Sequence, residues 1–138
     1  MTLDEIIVQR LLNYQPLADL IQTRIYPLTY PQDSVMPVVV YQCSSTDFPD
    51  YHHGGDSKVR DSRYQISSFS KNYGEAQHIA RLIFDAFEPW MTAQETISGE
   101  LIGGCFAENV FPVRNEESLE TLSNYQVLGD YVFLHGEA

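Results

Sequence analysis

Residues 63–87 read RYQISSFSKNYGEAQHIARLIFDAF, a strand pattern that runs through a short polar stretch into a helix pattern. Arg63-Tyr64-Gln65-Ile66-Ser67 alternates, with Tyr64 and Ile66 on one face and Arg63 and Gln65 on the other. That is the period of a half-buried strand. From Ala76 the period changes: Ala76, Ile79, Ala80, Ile83, Phe84 and Phe87 recur at steps of three and four, lining one face of an α-helix. Glu75, His78, Arg81, Asp85 and Glu88 fall outside the stripe and are expected in water. Asn72, with Glu75 three residues on, can satisfy orphan N–H groups as a capping-box-like pair. Pro89 is expected to stop the helix, because it has no N–H and crowds the preceding turn. A strand and a helix that each bury one face need one another.

Upstream, Thr2 and Glu5 stand in capping-box spacing before Leu3, Ile6, Ile7, Leu11 and Tyr14, which share a helical face. Pro16 ends that helix near Asn13 or kinks it there, and suits the first turn of a second, carrying Leu17, Leu20 and Ile21 inward. Ile25-Tyr26-Pro27 is extended and Pro31–Ser34 is turn chemistry. Val38–Cys43 is a short β-branched run, so a strand. Residues 44–61 then turn polar, a long arm joining two strands.

Downstream, residues 90–99 read as a connection with strand character near Ile97. Leu101–Phe111 is a strand with a bulge or close approach at Gly103-Gly104, ended by Pro112. Residues 114–124 are acidic and polar with Leu119 and Leu122 as anchors, the pattern of a loop with a short helical turn. Tyr125–Leu134 is apolar on both faces and therefore belongs in the middle of a sheet or under cover on both sides. The order α-β-β-α-β-β predicts one α+β domain, a mainly antiparallel sheet with helices packed on one face.

A chain of 138 residues, 43% hydrophobic, suits one core without metals or disulfides. Its formal charge is −11, and the imbalance is uneven. Residues 1–69 carry 8 acids and 5 bases, residues 70–138 carry 11 acids and 3 bases. Such a surface repels phosphate, which argues against sequence-specific nucleic-acid binding. Cys43 and Cys105, each in an apolar strand-like setting, read as two reduced core thiols, with a pairing between them left open. No signal peptide and no membrane-spanning stretch is expected.

The densest cluster of possible metal ligands is Asp47, Asp50, His52, His53 and Asp56. Adjacent histidines in an extended loop point to opposite sides, so a solvated loop is the better account than a metal site. No Gly-x-Ser-x-Gly elbow and no phosphate-binding glycine loop occurs. Glu116, Glu117 and Glu120 lack an apolar pocket to separate their pKa values. Nothing in these residues calls for an enzyme or a cofactor. Phe48 and Tyr51 sit among polar neighbours, where they either become ordered on a partner or fold back on their own domain.

The whole pattern resembles the tail-completion family of long-tailed bacteriophages, also described as tail terminator or tail-to-head joining proteins. The resemblance is carried by Leu17-Ala18-Asp19-Leu20-Ile21, then Arg24-Ile25-Tyr26-Pro27, Met36–Tyr41 with the polar insert after it, Arg63-Tyr64-Gln65-Ile66, and Glu75-Ala76 heading the helix. It implies a structural virion protein made in the host cytoplasm and placed at the head-proximal end of the tail. Members form a ring, usually hexameric, that caps the tail tube and joins it to the head connector while DNA passes non-specifically through the lumen. The partners implied are other copies of the chain, the tail tube protein and the head-side connector or stopper, with no membrane.

Under that resemblance the candidate subunit or partner contacts are Phe48, Tyr51, His52, His53, Lys58 and Arg60 of the arm, and Arg114, Glu116, Glu117 and Glu120 of the acidic loop. The sheet edge is a further candidate. Two other readings of the residues remain: a head-side stopper or adaptor, and a small acidic module that mimics nucleic acid before a basic partner.

Overall fold

The computed structural model describes residues 2–47, 60–113 and 125–137. In chain order these form α1 (Leu3–Leu12), α2 (Gln15–Ile21), β1 (Ile25–Pro27), β2 (Val38–Asp47), β3 (Arg60–Ser70), α3 (Tyr73–Thr92), β4 (Glu95–Ile97), β5 (Glu100–Val113) and β6 (Tyr125–Glu137). The strands make one sheet in the order β1-β2-β3-β6-β5-β4. β1 runs parallel to β2 and every other pairing is antiparallel. The class is α+β, as the alternation of patterns requires, with the apolar β6 placed centrally between β3 and β5.

The core lies between the helices and one face of the sheet. Tyr64 and Ile66 of β3 face inward with Tyr131 and Phe133 of β6 and Cys105 of β5. Onto them α3 lowers Ile79, Ile83, Ala86, Phe87 and Trp90. The Phe87 ring meets Tyr131 edge-on at 5.1 Å and Phe133 at 5.2 Å, the geometry that aromatic quadrupoles favour. Leu3, Ile6, Ile7 and Leu11 of α1 and Leu17 and Ile21 of α2 close the remaining area. Truncating any one of the fully buried aromatics would cost about 3–5 kcal/mol. The starts of α1 and α3 are capped as expected: Thr2 accepts from the Glu5 N–H and Asn72 from the Glu75 N–H. The Glu75 carboxylate does not return the bond; it accepts from the Ser70 hydroxyl at 2.6 Å.

Four expectations are corrected. Pro89 does not stop α3, which continues to Thr92, because Trp90 just beyond it is buried and the Ala93 N–H still reaches the Pro89 carbonyl at 3.1 Å. Pro112 does not end β5, which runs to Val113; it pairs with Val127 in a stretch that is an edge of the sheet among the described residues, where a strand proline is tolerated. The arm is shorter than its polarity suggests, since Ser44–Asp47 and Arg60–Asp61 pair as strand. Edge residues tolerate polar side chains, so composition alone misplaces that boundary. Finally, Cys43 is exposed while Cys105 is buried: Cys43 lies beyond the part of β2 that β1 covers. Two strands separate β2 from β5, so the thiols sit about 14 Å apart and cannot pair within one chain.

Candidate assembly interface

The sheet ends laterally in two unlike ways. On one side β4 covers only Glu100–Ile102 of β5. Along Gly103–Val113 no further strand pairs with the outer side of β5 among the described residues. Register slips between Ile102 and Gly104 and again between Ala107 and Asn109. The second slip, a bulge, re-aims the strand's tip so that Val110 and Pro112 turn toward α3 and Phe111 turns away. Val110 is 47% and Phe111 43% exposed, and Phe106 on the open face is 55% exposed. Phe84, Ala80, Gln77 and Arg81 of α3 face Val110–Pro112 and Val127 across a groove of about 300 Å³. An edge with free backbone groups and bare aromatics is a template for another chain.

On the other side lies β1 and the loop that follows it. Leu28 is 69% and Val35 68% exposed. The loop is nonetheless built, not slack. The Leu28 N–H donates to the Tyr41 carbonyl at 2.9 Å, and both the N–H and the hydroxyl of Ser34 donate to the Pro31 carbonyl. Tyr30 lies against Phe69 with ring centroids 5.0 Å apart.

A buried polar cluster stands at the opposite end of the strands from this loop. His135, 7% exposed, contacts the Ser62 hydroxyl through Nε2 at 2.7 Å and the Glu100 carboxylate through Nδ1 at 2.9 Å. Serine, histidine and acid are in the order of a nucleophile, base and orienting group. The Ser62 hydroxyl, however, is enclosed, with 2% of the residue exposed and Thr46 Oγ1 at 3.0 Å. The cluster ties together β2, β3, β5 and β6 by satisfying groups that would be costly to bury alone. No neighbour in the sequence partners His135, because Ser62 and Glu100 are both distant in the chain. Cys105 also gains no reactivity, since burial pushes its thiol up to about 12.

Of the candidate contacts read from the sequence, Arg60 is placed: it opens β3, exposed, opposite His135 in register. Phe48, Tyr51, His52, His53 and Lys58, with Arg114, Glu116, Glu117 and Glu120, lie outside the described residues, as do Asp50 and Asp56. Among the described residues no group of three or more His, Cys, Asp or Glu side chains is arranged to hold a metal ion. The exposed apolar side chains at both lateral boundaries were not singled out from the sequence. Leu28 hid in a proline-rich turn, and Phe106 and Phe111 in a strand whose outer side could not be known to be bare.

The fold is thus one α+β layer whose sheet has two unlike lateral edges. Residues 5–116 match the family of tail completion protein gp17, so the chain belongs to that family. It is a structural component of a phage virion, located in the tail. Among solved structures, a chain of the "Virion of native gene transfer agent (GTA) particle" has the same fold, with a TM-score of 0.67 at 16% identity over 94% of this chain and 91% of that one. Comparison with curated proteins finds no match.

Proposed function

We propose that the chain is one subunit of a ring that closes the head-proximal end of the tail tube, presents a surface to the head-side connector and lets DNA pass through its lumen. It does this without catalysis or cofactor. The observation that carries this reading is the pair of unlike lateral edges of one sheet. A ring is built from heterologous contacts, and each copy must offer two different patches that fit one another. The formal charge of −11 supports the conduit role, because a lumen of like charge does not hold phosphate. The arm residues Phe48, Tyr51, His52, His53, Lys58 and Arg60 and the loop residues Arg114, Glu116, Glu117 and Glu120 are proposed to meet neighbouring copies, the tube protein or the connector.

Light scattering over a concentration series, followed by negative-stain imaging alone and with purified tail tubes, tests the reading. Six-fold rings, free or on tube ends, are expected. A chain that stays monomeric and leaves tube ends bare overturns it. A chain that instead binds a basic partner in a salt-sensitive way is an acidic mimic.

A further inference from the structure

The two lateral boundaries described above are complementary in position, polarity of strand, apolarity and charge. We infer that the groove between Phe84 and Val110–Pro112 receives the Leu28–Val35 loop of a second copy, with Asp33 of the loop set against Arg81 of the groove. The inference rests on the ring reading and names the contact that would close the ring.

Position comes from register. Ile25, Tyr26 and Pro27 align with Val39, Val40 and Tyr41, and those with Ser68, Ser67 and Ile66. These in turn align with Val127, Leu128 and Gly129, and finally with Pro112, Phe111 and Val110. β1 and the groove segment therefore occupy the same three rows at opposite sides of the sheet. The other end of β5, at Glu100–Ile102, is already taken by β4. β1 and β5 also run in opposite senses, as the successive pairings require. A copy set beside the first by a rotation that keeps the sheets alongside one another brings the loop to the groove, with the facing strands antiparallel.

The two surfaces match chemically. Leu28 and Val35 are the most exposed large apolar residues described, and Val110, Pro112 and Phe84 line the recess that would cover them. Pro27, Pro31 and Pro37 bracket the loop and its internal hydrogen bonds fix its shape, so little ordering is lost on docking. Asp33 is exposed and is the one formally charged residue between Leu28 and Pro37. Among the described residues that line the groove Arg81 is the one with a charge, and its side chain is 73% exposed. Its i,i+4 pair with Asp85, at 3.3 Å, has an exposed guanidinium that a better-placed carboxylate can compete for.

Charge reversal tests the contact in the full chain. Asp33→Arg and Arg81→Glu should each shift the assembled mass to that of the monomer, with unchanged circular dichroism, and the double variant D33R/R81E should restore assembly. Singles that assemble like the wild type, or a double that stays monomeric, overturn the contact and leave the ring reading standing. A wild type that assembles neither alone nor on tail tubes overturns both. Leu28→Cys with Val110→Cys, in a Cys43→Ser background, gives an independent readout under oxidation. The two positions lie at opposite sides of one sheet, so a ladder of covalent multimers supports the contact and an uncrosslinked assembly overturns it.

Discussion

Arg10 of α1 donates through Nε to the Ala86 carbonyl of α3 at 2.7 Å, and its guanidinium lies 5.5 Å from the centre of the Trp90 ring. Pro89 stands within the same turn of α3. Without an N–H there, the Asp85 carbonyl loses its helical partner and the proline ring pushes the turn open. Arg10 supplies a donor to the next carbonyl along, while Trp90, 1% exposed, holds the far side of the turn in the core. Trp90 is held in turn by its indole N–H, which donates to Glu95 at 2.7 Å.

Arg10→Met keeps the aliphatic stem but removes a charged donor from a carbonyl, and should destabilise the fold by about 1.5–3 kcal/mol. Pro89→Ala restores the missing N–H and should stabilise by about 1 kcal/mol. If the Arg10 bond compensates for the opened turn, its loss costs less once Pro89 is gone. Urea denaturation of both single variants and the double measures that coupling. A coupling of zero would show that Arg10 serves only to dock α1.

The helix stripe, both N-caps and the alternation in β3 were legible because each is local: the residues that decide them lie within one or two turns or a few strand positions. What was not legible depended on partners far away in sequence. Pro89 was read as a stop because Arg10 and the aromatic seat of Trp90 could not be seen from the helix alone. His135 looked unpartnered because Ser62 and Glu100 are brought to it only by the sheet order. Cys43 looked buried because an apolar run does not reveal where its covering strand ends. The groove was equally hidden, since it exists only where a bulge in β5 meets a face of α3.

Gly129 shows how closely the sheet packs at the row that ends in Val110. A Cβ built there would lie 2.8 Å from Cε2 of Tyr131. That ring is 2% exposed and held between Phe87 and Phe133, so it has nowhere to go. Gly129→Ala should cost about 1–3 kcal/mol, as overpacking of a filled core does. Gly99→Ala makes a contrast, because nothing lies within 4 Å of its added Cβ and the penalty comes from a φ of +84° alone. Thermal denaturation of the two variants separates crowding from backbone strain, and a Gly129→Ala chain as stable as the wild type would refute the crowding.

The two cysteines should differ in reaction with a thiol reagent. Cys43 is exposed and Cys105 buried with its thiol pushed up to about 12, so the native chain should be modified at one position and the unfolded chain at two. Mass spectrometry of peptides after brief labelling identifies the site. Equal labelling of both under native conditions would contradict the burial of β5 beneath α3.

Alkali should unfold the chain by a route that its core fixes. Burial raises the Cys105 thiol from an ordinary 9.0 to about 12. Burial also raises the Tyr131 phenol, with smaller contributions from Cys105 and Asp85. It raises Tyr64 too, aided by the hydrogen bond that the Tyr64 hydroxyl donates to Asp4 and by the Asp4 charge. Each group is protonated in both states below its unfolded value. Above about pH 9 for the thiol and 10 for the phenols, the unfolded chain releases protons that the folded chain keeps. The stability these groups hold is therefore complete below pH 9 and is lost as pH rises through the folded values. Each one in its window lowers the unfolding free energy by about 1.4 kcal/mol per pH unit. Tyr131→Phe keeps the ring and removes one titration, so urea-unfolding free energies measured on either side of pH 10 should fall less steeply in that variant. Cys105→Ala should flatten the curve from pH 9 upward, whatever its cost at neutral pH. A variant that keeps the wild-type slope would mean that its group ionises within the fold, and so is not sealed in the core.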